Sequence, residues 1–185
     1  MNVMIRDLNI EAAPEDSRRI EIAANNLPLW NGVQLAIDTT LVSAIRSNGL
    51  PIQNAHARDG IALTRARRRK ERTYPELIGD RARSRLIVVG IETGGRWSSE
   101  AIDLVYQLAH SRARSEPSVL RNSAAFSWSR RWINILSCAC QRAFAGSLLH
   151  LPGSLAQNLD GPDPFLGDVL TDSRWESGPE VSRLQ

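Results

Sequence analysis

The stretch Arg85-Leu-Ile-Val-Val-Gly-Ile-Glu92 sets four large aliphatic residues in succession before a Gly94-Gly95 break. A strand with one wet face alternates, whereas an unbroken aliphatic run is expected of a strand covered on both faces. Upstream, Val33-Gln-Leu-Ala-Ile-Asp-Thr-Thr-Leu-Val42 is a second, β-branched-rich strand. The two-residue period sets Leu35, Ile37, Thr39 and Leu41 on one face and Ala36, Asp38, Thr40 and Val42 on the other. Further upstream, Arg19-Ile-Glu-Ile-Ala23 alternates and reads as a shorter strand. Between the last two, Asn31-Gly32 predicts a two-residue hairpin turn, because both positions tolerate positive φ. That register puts Glu21 opposite Val42 and leaves Glu21 and Asp38 four positions, about 13 Å, apart. A bend at Asn25-Asn26 or Pro28 would have to bring them together.

Helices fill the remainder. One is expected from Asp59, a good N-cap, to about Thr73, where Tyr74-Pro75 discourages continuation. Ala66, Lys70 and Tyr74 lie four apart and share a face of it. Ser98 or Ser99 should cap a second helix to about Arg114, and Pro117 suits the first turn of a long third one reaching Leu149. Along the third, Trp128, Trp132, Leu136, Ala139 or Cys140, and Ala143 form an apolar stripe, more often core than ligand platform. The order predicts an α/β (α+β) domain over residues 18–150, a small mixed sheet with flanking helices. A polar lead-in over 1–17 precedes it, and a flexible tail over 151–185, rich in Pro, Gly, Asp and Ser, follows.

The charge is unevenly spread. A net charge of +3 on 185 residues is modest, yet ten of the 23 basic residues fall between Arg58 and Arg85. The densest run is Arg65-Ala-Arg-Arg-Arg-Lys-Glu-Arg72, and it holds the only lysine, Lys70, against twenty-two arginines. Planar guanidinium groups donate paired hydrogen bonds to phosphate at any physiological pH, so Arg65, Arg67, Arg68, Arg69 and Arg72 are candidate nucleic-acid contacts. The bland reading is a solvated helix face in an arginine-favouring genome. Cys138 and Cys140 read as reduced structural cysteines, with no second Cys or His pair to complete a zinc site. No N-terminal apolar leader and no apolar run of roughly 20 residues is present, so a nuclear or cytoplasmic, non-secreted protein with no membrane partner is expected.

Three acids could carry chemistry. Glu21 and Asp38 on neighbouring strands would offer hard oxygens to Mg²⁺, which polarises a phosphodiester and activates a water. A lysine beside them would orient that water or stabilise developing charge. Glu92 ends a buried strand just before Gly94-Gly95, where ligands often meet open sheets. Its structural alternative is an ion pair with Arg96 or an arginine of the basic helix. For Lys70 the alternative is a solvated helix-face side chain.

The order Arg19-Ile-Glu-Ile, Leu27-Pro-Leu-Trp30, Gln34-Leu-Ala-Ile-Asp-Thr-Thr-Leu-Val-Ser43, Lys70-Glu-Arg-Thr-Tyr-Pro-Glu-Leu77, Leu86-Ile-Val-Val-Gly-Ile-Glu-Thr-Gly-Gly-Arg-Trp97 and Gln141-Arg-Ala-Phe-Ala145 carries a resemblance. It resembles the C-terminal region that follows reverse transcriptase in eukaryotic non-LTR retrotransposon polyproteins, over about residues 18–150. That region looks like a restriction-endonuclease-like domain of the PD-(D/E)XK superfamily. The resemblance implies that fold, a nuclear setting, and either DNA nicking or nucleic-acid binding alone. It puts Glu21 and Asp38 in the metal-carboxylate places and Thr40 in the lysine place, which Thr40 cannot serve. Some members of the superfamily move that lysine to a following helix, and Lys70 is the one candidate. An upstream reverse transcriptase, absent from this chain, is an implied partner beside DNA or RNA. Three readings follow: a Mg²⁺-dependent endonuclease, a non-catalytic nucleic-acid-binding module, and a structural remnant of the same fold.

Overall fold

The computed structural model describes residues 3–79, 83–149, 165–167 and 169–170. The protein is mixed α/β, as expected, with two small sheets and flanking helices. The chain forms two compact units, Met1–Leu104 and Val105–Gln185.

The first unit is built around a three-stranded mixed sheet in the order β3 (Ile22–Ala24), β4 (Gln34–Val42), β5 (Ser84–Glu92). Strands β4 and β5 run parallel over nine pairs, from Gln34 against Ser84 to Val42 against Glu92. A parallel pair needs a long crossover, supplied by helix α1 (Ile61–Thr73). Leu86, Ile87, Val88 and Ile91 are all buried, which is why β5 reads as a continuous apolar run. Helix α1 packs closely on the sheet at Gly90. A Cβ there would stand 2.9 Å from a Leu63 methyl, so the glycine lets α1 lie against the strand.

The tight Asn31-Gly32 hairpin does not form. Strand β3 pairs antiparallel with β4 through Ile22–Ile37, Ala23–Ala36 and Ala24–Leu35, so residues 25–33 make a nine-residue connection. Asn26, Trp30, Asn31 and Gly32 all take positive φ within it. Gln34 ties the loop down: its amide donates to Asn25 Oδ1 at 2.7 Å, and its Oε1 accepts from the Asn9 amide at 2.7 Å and the Ser84 hydroxyl at 2.5 Å. Leu29 is buried, and Arg85 stacks over the Trp30 ring at 4.9 Å. These tertiary anchors outweigh the local turn preference and shift the register by four residues.

Helix α1 also starts differently. Gly60, in the left-handed region at φ 66°, takes the cap position, while Asp59 pairs with Arg96 at 3.0 Å. The end is as expected: Tyr74 leaves helical geometry and Pro75 opens a single 3₁₀ turn, Pro75–Leu77.

The stretch expected as a polar lead-in is structural. Strand β1 (Val3–Met4) pairs antiparallel with β2 (Arg19–Ile20), and Ile5 and Leu8 enter a core with Ile20, Ala36, Tyr74, Leu77, Leu86 and Val88. Two apolar side chains three apart suffice to anchor it despite the polar residues around them. Arg18 locks the segment down, pairing with Asp16 at 2.5 Å and Glu76 at 2.6 Å and donating to the Thr73 carbonyl. It holds both carboxyls below their usual range.

Helix α2 (Ser99–Ala113) opens at Ser98, whose Oγ accepts from the Ala101 amide at 3.2 Å. In the second unit Ala109 and Ala113 cluster with Ala124, Ala125 and Trp128 of helix α3 (Arg121–Leu148) and with Val169. The apolar stripe on α3 is therefore core at its N-terminal end only: Trp132 is partly buried against the cluster, and Leu136 is exposed. Cys138 is exposed and Cys140 half-buried, with burial pushing the Cys140 thiol up. The tail expected over 151–185 lies outside the described residues except for Phe165–Gly167, Val169 and Leu170, of which Val169 is buried. No helix among the described residues is long and apolar enough to cross a membrane.

Candidate functional site

Asp38 sits on β4 beside Val88 of β5, on the face that carries Ala36 and Thr40. It is only 3 % exposed. An isolated buried carboxylate is costly, and α1 answers it: Lys70 Nζ stands 2.6 Å from Asp38 Oδ2. The only lysine of the chain, thirty-two residues downstream, thus lands on the central acid of the sheet. Ala66, one turn earlier, is buried on the same side of the helix, and Tyr74, one turn later, closes the site. The Tyr74 hydroxyl donates to the Arg19 carbonyl at 2.7 Å. Burial first, then the Asp38 charge, push its ionisation up, so Tyr74 stays a neutral donor beside the acid. The sequence shows Tyr74 only as the third member of the four-residue spacing with Ala66 and Lys70.

Glu21 follows from the corrected register. The pairing ends at Ile22–Ile37, which leaves Glu21 just outside β3 at the end of the ladder and not opposite Val42. The 13 Å separation of the tight hairpin therefore does not arise. The Glu21 carboxylate does not join Lys70, however. Its Oε2 accepts from the Thr39 amide at 3.1 Å and from the Thr39 hydroxyl, completing the sheet edge where β3 begins. Among the described residues no three His, Cys, Asp or Glu side chains gather into a metal-holding group.

Thr40 occupies the same face as Asp38, against Gly90. It lines a separate cleft of about 710 Å³ between α1 and the residues after β5. Asp59, Glu71 and Glu100 line it, and the sequence reading passed over Glu100. Its Oε2 accepts from the Val88 amide at 3.0 Å and pairs with Arg67 Nε at 3.0 Å. Burial outweighs both partners and raises the Glu100 ionisation. Ser98 serves the same strand edge, accepting from the Gly90 amide and donating to the Val88 carbonyl, each at 3.2 Å. The sequence signal for Glu100 was an acid in the first turn of a capped helix, a common feature with no chemistry of its own. Glu92 takes its structural alternative: Arg96 lies 3.7 Å from Glu92 and 3.0 Å from Asp59.

The five arginines of the basic run separate. Arg67 is committed to Glu100 and, at 3.5 Å, to Glu71. Arg65, Arg68, Arg69 and Arg72 line a second groove of about 540 Å³ on another flank of α1, with Arg68 also bordering the first cleft. Comparison with protein-family models, with curated protein sequences and with solved structures returned no match.

Proposed function

We propose that this chain is a domain acting on nucleic acid, of the restriction-endonuclease-like type that follows reverse transcriptase in non-LTR retrotransposons, with Asp38 and Lys70 at its centre. The observation that carries the reading is the 2.6 Å approach of Lys70 to Asp38. A nuclease whose motif position holds Thr40 needs its cation from elsewhere, and α1 delivers it to the acid of the neighbouring strand. The mixed sheet with an antiparallel pair followed by a helical crossover to a parallel strand supports the same reading. A nuclear setting goes with it.

On this reading Mg²⁺ would be held by Asp38 and Glu21 and would polarise the phosphodiester. The residues as arranged ask for a rearrangement first, since Lys70 occupies Asp38 Oδ2 and Thr39 occupies Glu21. Lys70, released from the carboxylate, would carry its charge to the scissile phosphate, and Tyr74 would hold Asp38 in place. The engagement of both acids favours a second reading, a module that binds nucleic acid without cutting it.

Nicking of supercoiled plasmid in Mg²⁺ or Mn²⁺ separates the two. Metal-dependent nicking by the wild-type protein, lost in Asp38→Asn and in Lys70→Gln with circular dichroism unchanged, supports the nuclease. Folded wild-type protein that nicks no better than Asp38→Asn leaves the binding module.

A further inference from the structure

Helix α1 bears two kinds of cation. Lys70 and Arg67 are neutralised by Asp38, Glu71 and Glu100. Arg65, Arg68, Arg69 and Arg72 form no ion pair with a carboxylate among the described residues, and no acidic side chain lines the groove they share. Their spacing makes this costly. Arg65 lies three and four residues before Arg68 and Arg69, and Arg72 lies four and three after them, so four like-charged neighbours repel along one helix face. The groove has an ordered far wall. Residues 44–52 fold back on themselves through Ile52 N–H to the Ala44 carbonyl at 2.7 Å and Arg46 N–H to the Leu50 carbonyl at 2.8 Å, so that Ile52 lines the groove beside Ser43.

We infer that this groove, between α1 and residues 43–52, is the seat of the sugar–phosphate backbone of a single nucleic-acid strand, gripped by Arg65, Arg68, Arg69 and Arg72. The inference rests on the proposed function and gives it a binding surface apart from Asp38 and Lys70. Guanidinium forks match phosphate oxygens two at a time, and a polyanion removes the repulsion that the protein leaves unbalanced. From Arg65 to Arg72 the helix rises about 10 Å at 1.5 Å per residue. At about 3.4 Å of axis per phosphate on one strand, that length covers about three phosphates. Arg67, although central in the run, takes no part because its side chain is held on the other flank by Glu100.

The test is fluorescence anisotropy of the full chain with a labelled 20-mer as single-stranded DNA, duplex DNA and RNA, over a salt series. Binding should weaken with log salt at a slope of about −2 to −3, from the counterions released by three neutralised phosphates. In Arg68→Gln/Arg69→Gln, affinity should fall tenfold or more and the slope should flatten by at least 1, while Arg121→Gln leaves both unchanged; circular dichroism confirms the fold of each. A single strand bound as tightly as the duplex supports the one-strand seat, and a duplex held tenfold more tightly than either single strand overturns it. Wild-type binding untouched in Arg68→Gln/Arg69→Gln overturns the groove while leaving the nucleic-acid reading intact. No binding of any of the three probes at low salt overturns both.

Discussion

The two flanks of α1 are made from the same short run of residues and behave as opposites. On one, Lys70 and Arg67 reach inward and meet the buried Asp38 and the half-buried Glu100. On the other, Arg65, Arg69 and Arg72, with Arg68 on the crest between the two clefts, stand around a groove that no acid among the described residues lines. A helix turns about 100° per residue, so adjacent cations are sorted to different surroundings within one turn. The lesson is that a basic run is not one functional unit. Each charge takes the role of whatever the fold sets opposite it.

That contrast can be broken most sharply at Lys70. Lys70→Met strands the buried Asp38 carboxylate and should cost about 3 kcal/mol by urea denaturation. Adding Asp38→Leu should recover most of that loss, since a matched apolar pair removes both charges together. Equal stability of the single and double variants would show that the ion pair does not govern the inner flank.

Arg67→Ala should cost less, about 2 kcal/mol, because Glu100 loses its cation but keeps the Val88 amide. Burial already raises the Glu100 ionisation. Protonation of Glu100 therefore favours the folded state as pH falls through that raised value, and the deficit of Arg67→Ala should shrink there. A deficit that instead grows on acidification would contradict the burial of Glu100. Gly90→Ala tests how tightly α1 is seated and should cost about 1–2 kcal/mol, the Leu63 methyl having to give way. The smallest effect belongs to the outer flank: Arg69→Gln should change stability by less than about 0.5 kcal/mol.

The Arg18 clasp adds a pH arm of opposite sign. Asp16 and Glu76 titrate below their usual range beside Arg18. Their contribution is present above the usual carboxylate range and is lost as pH falls through the lowered values. Arg18→Gln should flatten the acid side of the stability profile.

Much of the fold is legible in the residues. The aliphatic run at Leu86–Val89 gave a strand covered on both faces, and the Tyr74-Pro75 stop ended α1 where it ends. The Asn31-Gly32 turn misled because a local preference worth little was set against the long-range anchors of Gln34, Leu29 and Trp30. Of the site, Asp38 and Lys70 were legible as types of residue and as face-sharing positions. Their contact was not, since it joins a strand to a helix thirty-two residues on. Tyr74 was legible only as a face-sharing position, and Glu100 not at all, because nothing in their local sequence distinguishes an inward partner from a surface one.

The sequence by itself determined the periodicities, and with them the strands, the helices and the faces on which Asp38, Lys70 and the arginines stand. These are properties of neighbours in the chain, set by 2.0- and 3.6-residue repeats. Only the tertiary structure decided the four-residue shift of register between β3 and β4, the pairing of the lone lysine with a buried acid, and the sorting of five arginines into one that meets carboxylates and four that, among the described residues, do not. Those outcomes depend on which surfaces the crossover packs together, and burial, which gives each charge its energetic weight, exists only once they are packed.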